Sequence, residues 1–403
     1  MTLFLTLLVA MNLCYSSTSK YINDNIITES FNIPKGLENA VDFWIDVYSK
    51  YDTNQIIVHD TENYIIYDVI DVSDVSNLPY FTQQIKDEIV NSRVLRVQKK
   101  YRDTLKALQN NKNDLQEMDQ FTLGVHNKYI GINDENKFID ASRPGRMRIQ
   151  RGQRSEFKKG LSYSEKYIPT MEKIFKHYRL PTELSRLPFV ESYFNPHALS
   201  YKKASGIWQF MKGTGSEYLK VKGKQDQRND PIASTHAAAK LLKQSYTYLY
   251  KNWPLAITAY NHGRFGMKRA AQNFGTTDLV KLIKTYKGET FGFASKNFYA
   301  EFLAALYLEK NHEKFFEDAP ITETASYGEI VTVKPIKISQ LELLLDVDKE
   351  DIRMYNPNIK MNRSKEDAEL PEGATIRVPI TRFKKLMSET KTVEGLEDYL
   401  RFI

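Results

Sequence analysis

Apolar residues recur along this chain at two different periods, and the change of period divides it. The stretch NAVDFWIDVYSKY at 39–51 reads as a short aromatic-rich helix. Two β-rich runs follow at 55–58 and 64–69, separated by the turn-prone residues 60–63. From 81 to 108, Ile85, Ile89, Val94, Val97, Tyr101, Leu105 and Leu108 recur in steps mostly of three and four, which predicts a long amphipathic helix. Residues 110–140 are polar and loop-like, with room for local helix. From 162 to 312 the pattern is almost wholly helical: Tyr167, Ile168, Met171, Ile174, Phe175 and Tyr178 form one stripe, and Asp230-Pro231 is a helix start, an N-cap followed by proline. Residues 319–327 read as a linker. A strand at 331–333, the helical run LELLLDV, a second short helix at 349–354 and a strand at 376–378 then form a βααβ module. There is no internal repeat.

The fold class expected from this pattern is mainly α, with an α/β N-terminal region and the small βααβ module at the C-terminus. The boundaries expected are a leader at 1–19, an accessory region at 20–145, a helical domain at 146–316, the module at 326–382 and a tail at 383–403.

Composition narrows the function classes. The 403 residues suggest about two to three domains. With 41% hydrophobic and 27% charged residues the chain is globular in type. One cysteine excludes a disulfide scaffold and any multi-cysteine metal site. The net charge of +7 suits an anionic partner such as cell-wall polymer, a membrane surface or nucleic acid. Residues 143–159 concentrate arginine and lysine (Arg143, Arg146, Arg148, Arg151, Arg154, Lys158, Lys159) around the one acid, Glu156. No nucleic-acid motif accompanies them, so a solvated linker or a structural arginine belt is expected and nucleic acid is not. The 7 histidines are scattered without H-x-x-x-H spacing, and no metal site is expected.

The apolar run LFLTLLVAMNL at 3–13 is too short to span a bilayer but has the length of a signal-peptide core, although no Lys or Arg precedes it. Ser16, Ser17 and Ser19 follow. Cys14 stands where a lipoprotein would carry its lipidated cysteine, but Leu13 precedes it where a small residue is wanted. The expected location is the periplasm or envelope of a Gram-negative bacterium, with secretion, or peripheral or lipid-anchored membrane association, as the alternatives.

The strongest chemical signal is PTELSRLPFVESYFNP at 181–196. On helical spacing Leu184, Leu187 and Glu191 share a face, which puts a carboxyl group on an apolar surface near Val190 and Phe194. Burial disfavours the charged form and lifts a glutamate above its usual value of ~4.3. An acid still protonated near neutrality can donate its proton to a leaving oxygen. Glu191 could equally pair with Arg186 or turn to solvent, and this face alone leaves the three readings open.

Glu191-Ser192, then Ser200, then ASGIWQFM at 204–211, then AITAYNHG at 256–263 resemble the soluble lytic transglycosylase family, in wording closest to its membrane-bound lytic murein transglycosylase D-like group. The family signature of Glu-Ser, Gly-x-x-Gln and Ala-Tyr-Asn stands here in order and at the family's intervals. DQRNDPIASTHAAAKLL at 226–242 and MRIQRGQRSEF at 147–157 also look like that group. The resemblance implies a lysozyme-like catalytic domain that cleaves the β-1,4 bond between N-acetylmuramic acid and N-acetylglucosamine in peptidoglycan. Glu191 would protonate the glycosidic oxygen, and an oxocarbenium-like centre would develop at the muramyl C1. Glu191 would then accept the proton of the sugar's own C6 hydroxyl as that oxygen closes onto C1, leaving a 1,6-anhydro end. One carboxyl serves both steps, and no cofactor is implied.

Position by position, the resemblance makes Ser200 and Gln209 substrate contacts, Met211 and Tyr260 walls of the groove, and Asn261 a hydrogen-bond partner for substrate or for the Glu191 loop. Ser192, Gly206 and His262 become structural neighbours of the site. The family's late motif, Glu-Thr-x-x-Tyr-Val, is altered: Ala294 stands at the acid and Phe298 at the tyrosine, with Tyr299 placed to substitute through a small shift. Phe298 and Tyr299 are therefore carried as substrate-binding residues. The C-terminal module resembles a LysM domain, a peptidoglycan-binding fold, through DIRMYNP at 351–357, LPEG at 370–373 and IRVP at 376–379. It lacks the usual Gly-Asp-Thr-Leu start, so it is a degenerate example. The partners expected are peptidoglycan glycan strands, with the protein a monomer. The alternatives are a hydrolytic muramidase of the same fold and a non-catalytic peptidoglycan-binding scaffold.

Overall fold

A computed structural model describes residues 19–110, 118–222, 225–317, 327–359, 369–389 and 398–402. The leader, Cys14 and almost all of the linker at 319–327 lie outside the described residues. The protein is mainly α-helical with small antiparallel sheets, and it divides into two compact units: Met1–Val47 with Tyr51–Gly152, and Tyr48–Lys50 with Gln153–Ile403.

In the first unit, helix α1 (Glu38–Ser49) buries Val41, Phe43, Trp44, Ile45 and Val47; its last turn counts with the second unit. The two expected strands are β1 (Gln55–Asp60) and β2 (Ile66–Asp71), paired antiparallel. After the short α2 (Ser73–Ser76) comes the long helix α3 (Gln83–Asn110), which packs Tyr101, Leu105 and Leu108 against Val58 and Tyr67 of the sheet. The segment expected to be mostly loop contains α4 (Gln120–Asn127), capped by Asp119, and α5 (Lys137–Ala141).

Part of the basic segment is not a linker. Residues Met147–Arg151 form β3, which pairs with β1 and completes the sheet in the order β2-β1-β3. Four of its five side chains are at least partly exposed, so the strand left no hydrophobic alternation to read; backbone pairing defines it. Arg146, just before it, pairs with the fully buried Asp60 at 2.8 Å and with Glu62 at 2.9 Å. That arginine is structural.

The second unit is helical to Phe316. It runs through α6 (Arg154–Ser164), α7 (Ile168–His177), a 3-10 turn at Thr182–Arg186, α8 (Leu187–Ser192), α9 (Lys212–Ser216), a small hairpin of β4 (Val221–Lys222) and β5 (Gln225–Asp226), and α10 (Pro231–Tyr248). Then come α11 (Trp253–His262), α12 (Arg264–Asn273), α13 (Leu279–Thr285), α14 (Phe293–Lys310) and α15 (His312–Phe315). Asp230 starts α10 as expected, accepting from the Ile232 and Ala233 amides at 2.9 and 3.0 Å. Helix α14 is the central element: Phe298, Tyr299, Phe302, Leu303 and Leu306 are buried, and it packs against α8 and α11.

The C-terminal part contains β6 (Tyr327–Thr332), β7 (Ile336–Lys337), α16 (Ile338–Leu345), α17 (Lys349–Tyr355), β8 (Glu369–Leu370), β9 (Thr375–Pro379), α18 (Ile380–Glu389) and β10 (Leu400–Phe402). Its sheet order is β10-β6-β9. Ile330, Leu341, Leu345, Ile352, Ile376 and Val378 form a core of its own. The expected tail joins that core through Phe383, Leu386 and Leu400, so the module continues past 382. Gly328 makes room for this: a Cβ there would lie 1.9 Å from the Phe383 ring. Arg377, 7% exposed, pairs with Asp230 at 3.0 Å and Glu329 at 2.9 Å, tying β9 to the start of α10.

Candidate active site

Glu191 stands in the last turn of α8. The single helical face read from Leu184 to Glu191 is broken in the structure: Leu184 sits in the 3-10 turn and Leu187 begins α8. Both leucines are fully buried, while Glu191 remains partly exposed. The helix stops abruptly because Tyr193 and Phe194 adopt left-handed backbone conformations, φ 50° and 58°. Two such non-glycine residues cost on the order of 1 kcal/mol or more each, and packing must hold them. Phe194 is completely buried with its ring edge-on to Phe189 at 4.8 Å, and the Tyr193 hydroxyl donates to Gln153. The strain presents Glu191 at the end of a helix rather than within its length.

Arg186 does not pair with Glu191. Its guanidinium donates to Glu172 and, at 3.0 Å, to Glu309. Among the described residues the Glu191 carboxyl has no ion pair or hydrogen bond; it is surrounded by protein atoms, and the residue keeps some exposure. Loss of hydration pushes its pKa up to about 8. Burial pushes up the Tyr260 and Tyr48 hydroxyls, and the Glu191 charge adds to the shift of each.

Three consecutive carbonyls of the Gly-x-x-Gln turn accept side-chain hydrogen bonds, one from within the turn and two from the other motifs. The Gln209 side-chain amide donates to Gly206 O at 2.8 Å. The Ser192 hydroxyl donates to Ile207 O at 2.8 Å, and the Tyr260 hydroxyl donates to Trp208 O at 2.9 Å. Trp208 is fully buried and donates its indole N–H to Thr235 at 2.9 Å. Gly206 has φ 79°, and a Cβ there would lie 1.9 Å from the Arg228 carbonyl, so backbone geometry alone requires glycine. The Arg228 guanidinium is held by Asp226 and donates to Lys203 O and Phe210 O at 2.9 and 3.0 Å, clamping the two ends of the turn.

The other expected site residues separate into those with accessible surface and those without. Met211 is 45% exposed, and Ser200 is partly exposed with its hydroxyl accepting from the Ala204 amide at 2.9 Å. The Gln209 amide group is engaged by the Gly206 and Ala198 carbonyls, so its available side-chain atom is the oxygen. Asn261 is exposed and accepts from Ser295 on α14 at 2.7 Å. His262 packs edge-on to Phe291 at 4.9 Å and to Tyr286 at 5.8 Å; burial lowers its pKa.

Phe298 stacks on Tyr260, ring centroids 6.3 Å apart and planes 8° from parallel, and is itself only 3% exposed. It shapes the ring that lies by Glu191. Tyr299 is 1% exposed and stacks on Phe302 within the core. It does not replace the late-motif tyrosine. Adjacent helical residues point about 100° apart, so a helix that turns Phe298 toward Tyr260 turns Tyr299 inward.

One carboxyl near the site escaped the sequence reading. Glu301 on α14 is partly exposed, and loss of hydration together with the Glu191 charge pushes its pKa up to about 8. The signal was an acid in the otherwise apolar run YAEFLAALYL, seven residues and two helical turns after Ala294. Among the described residues no group of three or more His, Cys, Asp or Glu is arranged to hold a metal ion.

Residues 171–283 match the Transglycosylase SLT domain. The match takes in Glu191, the turn at 206–209 and Tyr260, and ends before α14. The chain is similar to membrane-bound lytic murein transglycosylase D of Escherichia coli K12, 28% identical over 208 residues, covering 49% of this chain and 43% of that protein. It is 36% identical over 110 residues to a putative tributyltin chloride resistance protein of Alteromonas sp., covering 26% and 53%. It is 27% identical over 147 residues to membrane-bound lytic murein transglycosylase C of Haemophilus influenzae, covering 32% and 40%. The similarity therefore spans less than half the length of the lytic transglycosylases it matches. Among the described residues no helix is long and apolar enough to cross a membrane.

Proposed function

We propose that this chain is a peptidoglycan lytic transglycosylase, cleaving the β-1,4 bond between N-acetylmuramic acid and N-acetylglucosamine and leaving 1,6-anhydromuramic ends. The observation that carries this reading is the state of Glu191: a carboxyl with no cation beside it, partly accessible, whose pKa is pushed up to about 8. Such a group is protonated at neutral pH and can act as a general acid. Once the proton is on the leaving oxygen, the same low-dielectric surroundings make the carboxylate a strong base toward the C6 hydroxyl. That proton returns Glu191 to its starting state as the C6 oxygen bonds to C1.

In this reading Met211 and Tyr260 wall the groove, Ser200 and the Gln209 oxygen meet sugar hydroxyl or acetamido groups, and Asn261 offers a further polar contact. Ser192, Gly206 and Phe298 fix the positions of the others. The C-terminal module serves as a LysM-like glycan-binding element, its own core supporting a separate fold. Peptidoglycan as substrate puts the protein in the cell envelope, with the periplasm as its compartment.

The hydrolytic reading gains from one observation, the second carboxyl at Glu301, because hydrolytic glycosidases use two. The test of the main reading is Glu191→Gln. The variant should lose at least a thousandfold in release of soluble fragments from sacculi while still sedimenting with them. Unchanged release would overturn both enzymatic readings.

A further inference from the structure

We infer that the cavity between the C-terminal module and the start of α10 is a second saccharide site. It takes one acidic amino-sugar unit, a pyranose ring with a pendant carboxylate, as the muramyl unit of peptidoglycan carries on its lactyl group or on the peptide attached to it. The proposal rests on the reading of the chain as a peptidoglycan enzyme and adds a site that uses none of the residues assigned to the groove.

The cavity has a volume of about 310 Å³, at the low end of the ~300–1,000 Å³ typical of ligand pockets. That is room for one substituted sugar ring rather than a strand. Its walls come from both parts of the second unit. Tyr163 of α6 and Tyr167 at the start of α7 stand on the helical side, and Tyr327 of β6 and Tyr355 of α17 on the module side. Two contacts hold these walls together. Arg377 of β9 pairs with Asp230 at 3.0 Å, and the Asp226 amide of β5 donates to the Asn358 carbonyl at 3.1 Å. The cavity is therefore formed before a ligand arrives, which lowers the cost of binding.

The lining selects the chemistry. Among the described residues none of the four tyrosine rings packs on another aromatic ring, so their faces are left to a ligand. The hydroxyls of Tyr163, Tyr167 and Tyr355 likewise have no hydrogen-bond partner among the described residues. A tyrosine face suits the C–H face of a pyranose, and its hydroxyl suits the sugar's polar edge. Charge adds the carboxylate. Among the described residues no aspartate or glutamate lines the cavity. Arg377 is taken by Asp230 and, at 2.9 Å, by Glu329. Lys166, partly exposed, has no ion pair among the described residues and is the cation left to meet an anionic ligand.

The cavity also meets the chain just beyond the acid. Asn195 and His197 line it, and they follow directly on the left-handed pair Tyr193 and Phe194 that ends α8. The Asn195 side-chain oxygen accepts from the His197 amide at 2.9 Å, which leaves its NH2 group to donate to a sugar or acetamido oxygen. No bond forms or breaks in the cavity. A muramyl unit seated there tethers the wall polymer to the domain that carries Glu191, and the site acts on affinity for the wall rather than on cleavage.

The test titrates N-acetylmuramic acid, muramyl dipeptide and N-acetylglucosamine into the full chain and follows the His197 ring signals by NMR. The acidic probes should shift those signals with a Kd on the order of 1 mM, and N-acetylglucosamine, which lacks the carboxylate, should bind roughly tenfold more weakly. A shift with only one acidic probe supports the site and assigns the carboxylate to the lactyl group or to the peptide. Lys166→Gln should weaken the acidic probes roughly tenfold and abolish their advantage. Tyr163→Ala should weaken all three probes; where it does not fold, Lys166→Gln, at a partly exposed position, carries the test alone. No shift with any probe, or affinities that Lys166→Gln leaves unaltered, would overturn the proposal. Shifts at His197 without release of fragments from sacculi would instead overturn the transglycosylase reading and leave the cavity site standing.

Discussion

The Ser192 hydroxyl donates to the Ile207 carbonyl at 2.8 Å, joining the residue after Glu191 to the middle of the Gly-x-x-Gln turn. One residue later, the Trp208 carbonyl accepts from Tyr260 at 2.9 Å. Three motifs far apart in the chain are thus held by adjacent peptide groups, and the acid, the turn and the aromatic wall have one shared support. Ser192→Ala and Tyr260→Phe should each lower stability by about 1 kcal/mol through an unsatisfied carbonyl. Each should lower kcat more than it raises KM. Because both act on the same turn, the double variant should lose less than the sum, and a thermal-melt double-mutant cycle measures the difference. Simple additivity would mean the two bonds act separately.

Gly206 gives a sharper test of that turn. Its φ of 79° and the 1.9 Å approach of a Cβ to the Arg228 carbonyl leave no room for alanine. Gly206→Ala should cost about 2–4 kcal/mol, read as a fall in the urea midpoint. Gly213 in α9, with open space around its Cα, is the control: Gly213→Ala should be neutral or stabilising by about 0.5–1 kcal/mol.

Stability should also depend on pH through Glu191. Its folded pKa of about 8 lies above the ordinary 4.5, so the unfolded chain releases a proton that the folded chain keeps. That contribution is complete below about pH 4.5, declines as pH rises and is lost through pH 8. Glu301 acts in the same direction. Glu191→Gln removes the liability. The variant should melt above wild type at pH 8, by on the order of 1–2 kcal/mol once partial solvent access is allowed for, with the gap closing toward pH 4. A constant gap across that range would mean that burial does not hold the proton.

The helical periodicity marked α1, α3, α7 and α10 well because each buries one face or begins at a capping aspartate. Strand β3 was hidden because its side chains are mostly solvated and its partner is far away in sequence. Glu191 was legible as an acid on an apolar segment. Its freedom from Arg186 was not, because that depends on Glu172 and Glu309 arriving from two other helices. Tyr299 was placed at the site because sequence order does not show direction: adjacent helical residues point about 100° apart, and Tyr299 packs on Phe302 while Phe298 packs on Tyr260. Glu301 was missed because no local motif marks it; it stands on α14, which packs against α8.

The most direct measurement is mass spectrometry of muropeptides released from sacculi digested in water enriched in oxygen-18. The account predicts anhydro ends that carry no heavy oxygen, because the C6 hydroxyl of the sugar itself closes onto C1. Reducing ends labelled with oxygen-18 would mean that water attacks, and would contradict it.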